Sequence, residues 1–189
     1  FDLKSYCGSG YKGRIKDKDS SVPIKDGAYS YYSKYLENSE YPQFLRIDGN
    51  NKEEVIFDAD LKSKDFKFFN LSSVSHSHNH KYLAYNVDTN GSEHYDLCVE
   101  EIETKKVIIK KIENTTGEII WHPNNKIIFY TVLDNNHRPN KIFAHEIGCD
   151  PANDQLIYEE KDAAYFCSPS LSQSKNYLLI RTGDHQTSE

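Results

Sequence analysis

The sequence predicts an all-β fold in which short strands recur in a regular pattern. Aromatic residues make up 13% of the 189 residues, with 14 Tyr and 9 Phe, and aromatic rings pack well on pleated sheets. Short apolar runs alternate with clusters of Asn, Gly, Pro and Ser, which favour turns. Helix signals are weak almost everywhere along the chain.

The predicted strands fall into successive sets along the chain. The first set covers residues 28–35, 43–47 and 54–57; the second covers 67–74, 82–87, 94–100 and 107–111; the third covers 118–121, 127–133, 141–147 and 155–159; and a fourth begins with 165–167 and 177–181.

An internal repeat relates these sets. SHSHNHKYLAYNVD resembles HPNNKIIFYTVLD and SLSQSKNYLLIRTGD, with Tyr82, Ile127 and Tyr177 in equivalent positions. Four strands in a period of about 40–50 residues are typical of a propeller blade. We therefore predict a partial β-propeller of about three to four four-stranded antiparallel blades at residues 14–189, after a leader or linker at 1–13. Propellers have roughly four to eight blades, so we expect a piece of a longer protein.

Composition limits the classes of partner. The net charge of −6 argues against nucleic acid, which needs a basic face, and no apolar run approaches a membrane span. Four cysteines without a CxxC pair are too few for a disulfide framework in a chain of this length. They indicate reduced thiols in a cytoplasmic protein.

The sequence contains no motif that predicts catalysis by the chain itself. Ser9 lies in a Gly-Ser-Gly sequence, which lacks the spacing of the G-x-S-x-G elbow. The same glycine-rich leader lacks the Gly-Lys-Ser/Thr ending of a phosphate-binding loop. A flexible leader is the favoured interpretation of this segment.

Two histidine-containing stretches are candidate sites. The run SHSHNH at residues 75–80 would place three imidazoles on one face of an extended strand, as in a metal site. No carboxylate or thiol ligand accompanies it at a fixed spacing, so a solvated blade turn is favoured and neither metal nor other cofactor is predicted. His122 lacks the partner serine of a catalytic relay; we expect Trp121 in the core and His122 at the start of a turn.

Glu93 and Arg138 are the candidate contact residues. Glu93 follows the Asn90-Gly91 pair, a strong hairpin signal, and Arg138 lies in the corresponding turn one repeat later. Equivalent loops of neighbouring blades emerge on one face of a propeller. A carboxylate and a guanidinium there could bind a ligand or partner domain by charge-assisted hydrogen bonds. The alternative is an exposed surface, where ion pairs contribute little.

Several stretches, in order, resemble one family. RIKDKDSSVPIKDGAYSYYSKYLENSEYP, LAYNVDTNGSEHYDL, FYTVLDNNHRPNKIFAHEIG and LIYEEKDAAYF are similar to the propeller domain of oligopeptidase B, or protease II, in the prolyl oligopeptidase family of serine peptidases. The resemblance runs from about residue 14 to residue 189. It implies a fragment of a seven-bladed propeller that caps an α/β-hydrolase domain carrying a Ser-Asp-His triad.

The resemblance also implies a function for this segment. The family cleaves short peptides, and the oligopeptidase B branch cuts after Arg or Lys. The propeller would act as lid and substrate filter, inactive alone. Glu93 would lie opposite the active-site cleft and contact an arginine of the hydrolase domain or a basic substrate.

The sequence departs from the family pattern. It holds no triad, oxyanion hole or basic-residue pocket. The blade turn that usually reads Ser-Pro-Asp-Gly-Lys in this family reads SHNHK at residues 77–81. Because Pro and Gly are replaced there, we expect relaxed turn chemistry.

A second function class stays open. The chain could be a stand-alone propeller-like interaction module, or the remnant of a split peptidase gene without catalysis. Open blade edges and exposed apolar faces predict self-association in either case.

Overall fold

A computed structural model describes residues 19–184 and Thr187. The predicted leader at residues 1–13, including Ser9, lies outside the described residues. The chain divides into two compact units, which meet in sequence between Lys67 and Phe68. Neither helical segment among the described residues has the length and apolar character needed to cross a bilayer.

The first unit contains one four-stranded antiparallel sheet and a short helix. Its strands are consecutive in the sheet and are β1 (Ile24–Asp26), β2 (Tyr29–Lys34), β3 (Gln43–Ile47) and β4 (Glu53–Asp58), followed by α1 (Ala59–Ser63). Asp58 caps α1, since its carboxylate accepts the backbone N–H of Leu61 at 2.8 Å. Ala59 of α1 and Leu45 of β3 are both fully buried in the interior of this unit.

The second unit contains two four-stranded sets and a two-stranded sheet. The strands are β5 (Asn70–His76), β6 (Tyr82–Asp88), β7 (Tyr95–Glu101), β8 (Val107–Thr115), β9 (Ile120–Trp121), β10 (Ile127–Leu133), β11 (Pro139–Glu146), β12 (Gln155–Glu159), β13 (Phe166–Leu171) and β14 (Leu178–Gly183). The first set is β5–β8 and the second is β9–β12, and all pairings within them and between β13 and β14 are antiparallel between neighbours in sequence. The pair of Thr115 in β8 with Val132 in β10 joins the two sets into one eight-stranded sheet. The predicted all-β class and blade-like sets of four strands are confirmed.

The core of the second unit lies between its two four-stranded sets. Eight buried residues form it: Ala84, Leu97, Val99, Ile109, Ile112, Trp121, Ile128 and Tyr130. They come from every strand between β6 and β10. A single set of four strands cannot bury both of its faces, so stacking of one set on the next supplies the core.

Most strands were predictable from the sequence, and two short elements were not. β3, β10 and β12 have the predicted bounds, whereas β8 continues to Thr115 and β9 is only Ile120–Trp121. β1 and α1 were missed. β1 has three residues and α1 has five. Neither is long enough to show the two-residue hydrophobic period of a strand or the 3.6-residue period of a helix.

The repeated turn keeps one hydrogen-bond pattern in all three copies. Before β6, β10 and β14, the backbone N–H groups of Ser77, His122 and Ser172 donate to the carbonyls of Tyr82, Ile127 and Tyr177 at 2.9 Å. The third turn residue after each donor adopts a positive φ, at His80, Asn125 and Lys175.

The turn at residues 77–81 therefore forms the same backbone hydrogen bond as the other two copies, although it lacks Pro and Gly. His80 adopts φ 61° where the family pattern has glycine, a conformation that costs an L-residue about 1–2 kcal/mol. The surrounding hydrogen bonds offset that cost. Ser77 is fully buried, and its hydroxyl accepts the N–H of Tyr82 at 2.9 Å.

Candidate functional site

The Glu93 loop, residues 88–94, joins β6 to β7 and is organised by one buried carboxylate. Asp88 is 1% exposed. Its Oδ1 accepts the N–H groups of Asn90 and Gly91 at 2.8 and 2.9 Å, and its Oδ2 accepts that of Glu93 at 2.8 Å. The positive φ values fall on Gly91 (75°) and Glu93 (60°).

The loop is thus longer than the two-residue hairpin that Asn90-Gly91 indicates, because its backbone wraps around the Asp88 carboxylate. The hydrogen bond to Asp88 fixes the backbone of Glu93, while the Glu93 side chain is exposed. A carboxylate held in this way loses little backbone freedom on contacting a cation outside the loop.

The Arg138 loop, residues 134–138, repeats the arrangement between β10 and β11. Asp134 Oδ1 accepts the N–H groups of Asn136 and Arg138 at 2.8 and 3.0 Å. Its Oδ2 accepts Nε of Arg138 at 3.0 Å. Asp88 is the last residue of β6 and Asp134 directly follows β10, so an aspartate at the end of the strand organises the loop in both copies.

Arg138 is bound within its own chain. Its Nη1 donates to the carbonyl oxygens of Asp162 and Tyr165 at 2.5 and 2.7 Å, and its side chain is 18% exposed. These bonds join the Arg138 loop to the segment between β12 and β13. The guanidinium therefore fixes the loop, whereas the Glu93 side chain is exposed.

A histidine pair brings the two loops together. Nε2 of His94 lies 3.3 Å from Nε2 of His137, and the ring centroids are 4.3 Å apart. Each histidine is the sequence neighbour of one candidate contact residue, His94 of Glu93 and His137 of Arg138. The expectation that the equivalent loops emerge side by side agrees with this contact.

Sequence reasoning missed Asp88, Asp134 and the two histidines. The aspartates carry a signal in the sequence, because YLAYNVD, IIFYTVLD and YLLIRTGD all end in Asp. Asp184 of the third copy accepts the N–H of Thr187 at 2.6 Å in the same way. The His94–His137 contact depends on the packing of separate strands and has no local signal.

The remaining sequence candidates lie in blade turns. The run at residues 75–80 does not stay extended, because β5 ends at His76 and a turn begins at Ser77. His78 points across to another strand set, with Nε2 3.3 Å from the carbonyl of Trp121. His122 Nδ1 accepts the N–H of Asn124 at 3.0 Å and opens its turn as expected.

The described cysteines lie outside any disulfide, which agrees with the predicted reduced thiols. Cys98 and Cys167 are buried and Cys149 is exposed; Cys7 lies outside the described residues. Burial raises the pKa of the Cys167 thiol to about 11, which keeps it protonated and unreactive near neutral pH.

The Asp88 carboxylate gives the site a testable pH dependence. Burial acts to raise its pKa, but the N–H groups of Asn90, Glu93 and Gly91 outweigh it and the pKa is lowered. As pH falls, the Asp88 carboxylate is therefore protonated in the unfolded chain before it is protonated in the folded chain. The stability from Asp88 is present above about pH 4 and is lost as pH falls through the folded-state pKa.

We expect the unfolding free energy of the wild type to fall from pH 5 toward pH 3 more steeply than that of Asp88→Asn. At pH 7 the variant should be less stable by about 1–2 kcal/mol, since it loses hydrogen bonds to a charged acceptor. Urea titrations at each pH measure both quantities. Equal pH slopes for the two proteins would contradict this account of the loop.

Comparisons with known proteins agree with the fold. The family model of the prolyl oligopeptidase N-terminal beta-propeller domain matches residues 2–189. Protease 2 of Moraxella lacunata is 27% identical over 185 residues, which cover 93% of this chain and 27% of that protein. Dipeptidyl aminopeptidase BI of Pseudoxanthomonas mexicana is 24% identical, over 93% of this chain and 27% of that protein.

Two solved structures are similar over nearly the whole chain. Oligopeptidase B from Leishmania major superimposes with a TM-score of 0.92 at 26% identity, over 99% of this chain and 27% of that one. Oligopeptidase B from Trypanosoma brucei, in a closed form with covalently bound antipain, gives a TM-score of 0.90 at 25% identity, over 100% and 27%. The chain thus spans about a quarter of the length of these relatives.

Proposed function

Because the chain belongs to the family of prolyl oligopeptidase N-terminal β-propeller domains, we propose that it is the lid and substrate filter of an oligopeptidase B-like serine peptidase. In this proposal the catalytic triad belongs to an α/β-hydrolase domain of the same parent protein. That peptidase hydrolyses short peptides after Arg or Lys. The proposal keeps the domain division expected from the sequence, with residues 14–189 as part of the propeller and residues 1–13 as a leader or linker.

The observation that carries the proposal is the presentation of Glu93. Its backbone is fixed by Asp88 at 2.8 Å, and its side chain is exposed. Within the described part of the chain, its carboxylate has no hydrogen-bond partner. A fixed, outward carboxylate matches a cationic partner, either an arginine of the hydrolase domain or a basic substrate side chain.

Closure of the two domains would strengthen this contact. A pair of opposite charges that is exposed contributes little, but exclusion of water lowers the local dielectric and increases the attraction. Glu93 would therefore act on substrate binding or domain closure and leave the chemical step unchanged. Arg138, with Nε and Nη1 bound to its own chain, would support the face by holding the neighbouring loop.

The test is the substitution Glu93→Gln in the parent polypeptide that includes the hydrolase domain. We expect kcat/KM for an Arg-containing peptide to fall by about tenfold, mainly through KM, because a charge-assisted hydrogen bond becomes a neutral one. Glu103→Gln is the matched control, since Glu103 is an exposed residue in the turn at the other end of β7. It should leave both constants unchanged.

A neutral peptide distinguishes the two cationic partners. If Glu93 contacts the substrate, the substitution lowers kcat/KM only for the basic peptide. If Glu93 contacts an arginine of the hydrolase domain, it lowers kcat/KM to the same extent for the basic and the neutral peptide. Unchanged kinetics for Glu93→Gln with both peptides would refute the contact.

Exposed apolar residues support the further expectation of association through β edges. Tyr177 and Leu179, beside and within the two-stranded β13–β14 sheet, are 68% and 50% exposed. Apolar residues at this level of exposure favour pairing with further β structure, in the parent protein or in a second copy.

A further inference from the structure

The Asn90-Gly91 pair of the Glu93 loop is chemically labile as well as turn-forming. In such a pair the amide nitrogen of glycine, unhindered by a Cβ, can lose its proton to water or hydroxide and attack Cγ of the asparagine. The new N–Cγ bond forms as the Cγ–Nδ2 bond breaks, and ammonia leaves. Water then opens the resulting succinimide ring to aspartate or isoaspartate, without any oxidation or reduction.

Solvent can reach both residues of the pair. Asn90 and Gly91 are exposed, and the Asn90 side-chain amide makes no hydrogen bond to any residue that the structure describes. Exposure alone would make this pair a fast deamidation site.

The attacking nitrogen, however, is already bound. The Gly91 N–H donates to Asp88 Oδ1 at 2.9 Å, and the acceptor is a carboxylate that is 1% exposed. A hydrogen bond to a charged, buried acceptor is stronger than one to water. It opposes loss of the amide proton, and it also prevents the rotation that would bring the nitrogen to Cγ.

We propose that Asn90-Gly91 is a spontaneous deamidation site that Asp88 blocks while the loop is folded, so that modification follows opening of the loop. The same carboxylate accepts the N–H of Glu93, so opening releases Glu93 together with Gly91. Deamidation then adds a negative charge three residues before Glu93. The isoaspartate product also lengthens the main chain by one carbon and shifts the position of Glu93.

The corresponding Arg138 loop provides a matched comparison. Asp134 binds the N–H groups of Asn136 and Arg138, but Asn136 is followed by His137. The histidine side chain hinders attack by its own amide nitrogen. Of the two loops, only the Glu93 loop combines an exposed asparagine with an unhindered following nitrogen.

The test is deamidation of the chain at mildly alkaline pH, followed by mass spectrometry and isoaspartate detection on the tryptic peptide 82–105. This peptide contains Asn90 and also Asn86, which is fully buried and is the internal reference. We expect the folded wild type to deamidate at Asn90 at least about tenfold more slowly than the same chain in urea, as loss of one charge-assisted hydrogen bond implies.

The variant Asp88→Ala should deamidate at Asn90 about tenfold faster than the wild type in buffer. The control variant Asp134→Ala, which removes the equivalent carboxylate of the other loop, should retain the wild-type rate at Asn90. The comparison of folded and urea-treated wild type needs no variant, so it holds even if Asp88→Ala fails to fold. Equal rates in buffer and in urea, or a folded Asp88→Ala with the wild-type rate, would overturn the proposal.

Discussion

Replacing Trp121 by alanine is expected to lower the unfolding free energy of the second unit by about 4 kcal/mol. Trp121 is 3% exposed and lies where the two four-stranded sets stack. Its Nε1 donates to the carbonyl of Ser75 in β5 at 3.2 Å, and its ring stacks on Tyr82 of β6 with 6.4 Å between centroids. The alanine variant would leave a cavity between the sets and lose the hydrogen bond to the Ser75 carbonyl.

Urea unfolding followed by circular dichroism measures this loss, because the variant has no tryptophan left for fluorescence. Trp121→Phe keeps an aromatic ring but loses the hydrogen bond, and should cost about 1–2 kcal/mol. Tyr177→Ala, at a residue 68% exposed, should change the unfolding free energy by no more than about 0.5 kcal/mol. A Trp121→Ala loss as small as that of Tyr177→Ala would show that the two sets do not depend on this contact.

Asp154→Ala is the second large loss that we expect, at about 3 kcal/mol. The Asp154 side chain is 4% exposed and is bonded to two buried partners. Its Oδ1 lies 2.7 Å from Nδ1 of His145, and its Oδ2 accepts the hydroxyl of Tyr130 at 2.7 Å. Removing the carboxylate leaves both groups buried without this partner.

The state of the two partners follows from their surroundings. Burial and, after it, the hydrogen bond to Asp154 raise the pKa of the Tyr130 phenol, so Tyr130 stays a donor. Nε2 of His145 is buried with no hydrogen-bond partner among the described residues. A proton is less costly on Nδ1, where Asp154 accepts it, than on Nε2.

Asp150→Ala is the control for this prediction. Asp150 is exposed in the same segment and caps the 3₁₀ helix Pro151–Asn153 through the N–H of Ala152 at 2.9 Å. Loss of such a cap costs about 1 kcal/mol. If thermal or urea unfolding shows Asp154→Ala to be no less stable than Asp150→Ala, the buried trio does not stabilise the fold as described.

The repeating features of the fold could be predicted from the sequence. The strand runs beginning at Tyr82 and Ile127 carry apolar residues between turn-forming clusters, and their spacing gives the blade period. Local chemistry determines these features, so a single sequence shows them. The position of Trp121 in the core followed from the same alignment.

Features that depend on contacts between strands were not predictable. The partners of Arg138, the carbonyls of Asp162 and Tyr165, are backbone groups without any side-chain signal. His145 and Asp154 look like ordinary polar residues in the sequence, and only the pairing of β10 with β11 brings Tyr130 and His145 to one face. The turn and the repeat made Glu93 a candidate contact residue, but only the likeness to a family suggested which partner it would contact.

Hydrolysis of a fluorogenic Arg-containing peptide by the native polypeptide that carries this chain tests the central claim most directly. The proposed function predicts cleavage after Arg, and inhibition by a phosphonate that reacts with the active-site serine of the hydrolase domain. A native polypeptide that folds, contains this propeller segment and shows no such cleavage would contradict it. The segment would then be a binding module without catalysis.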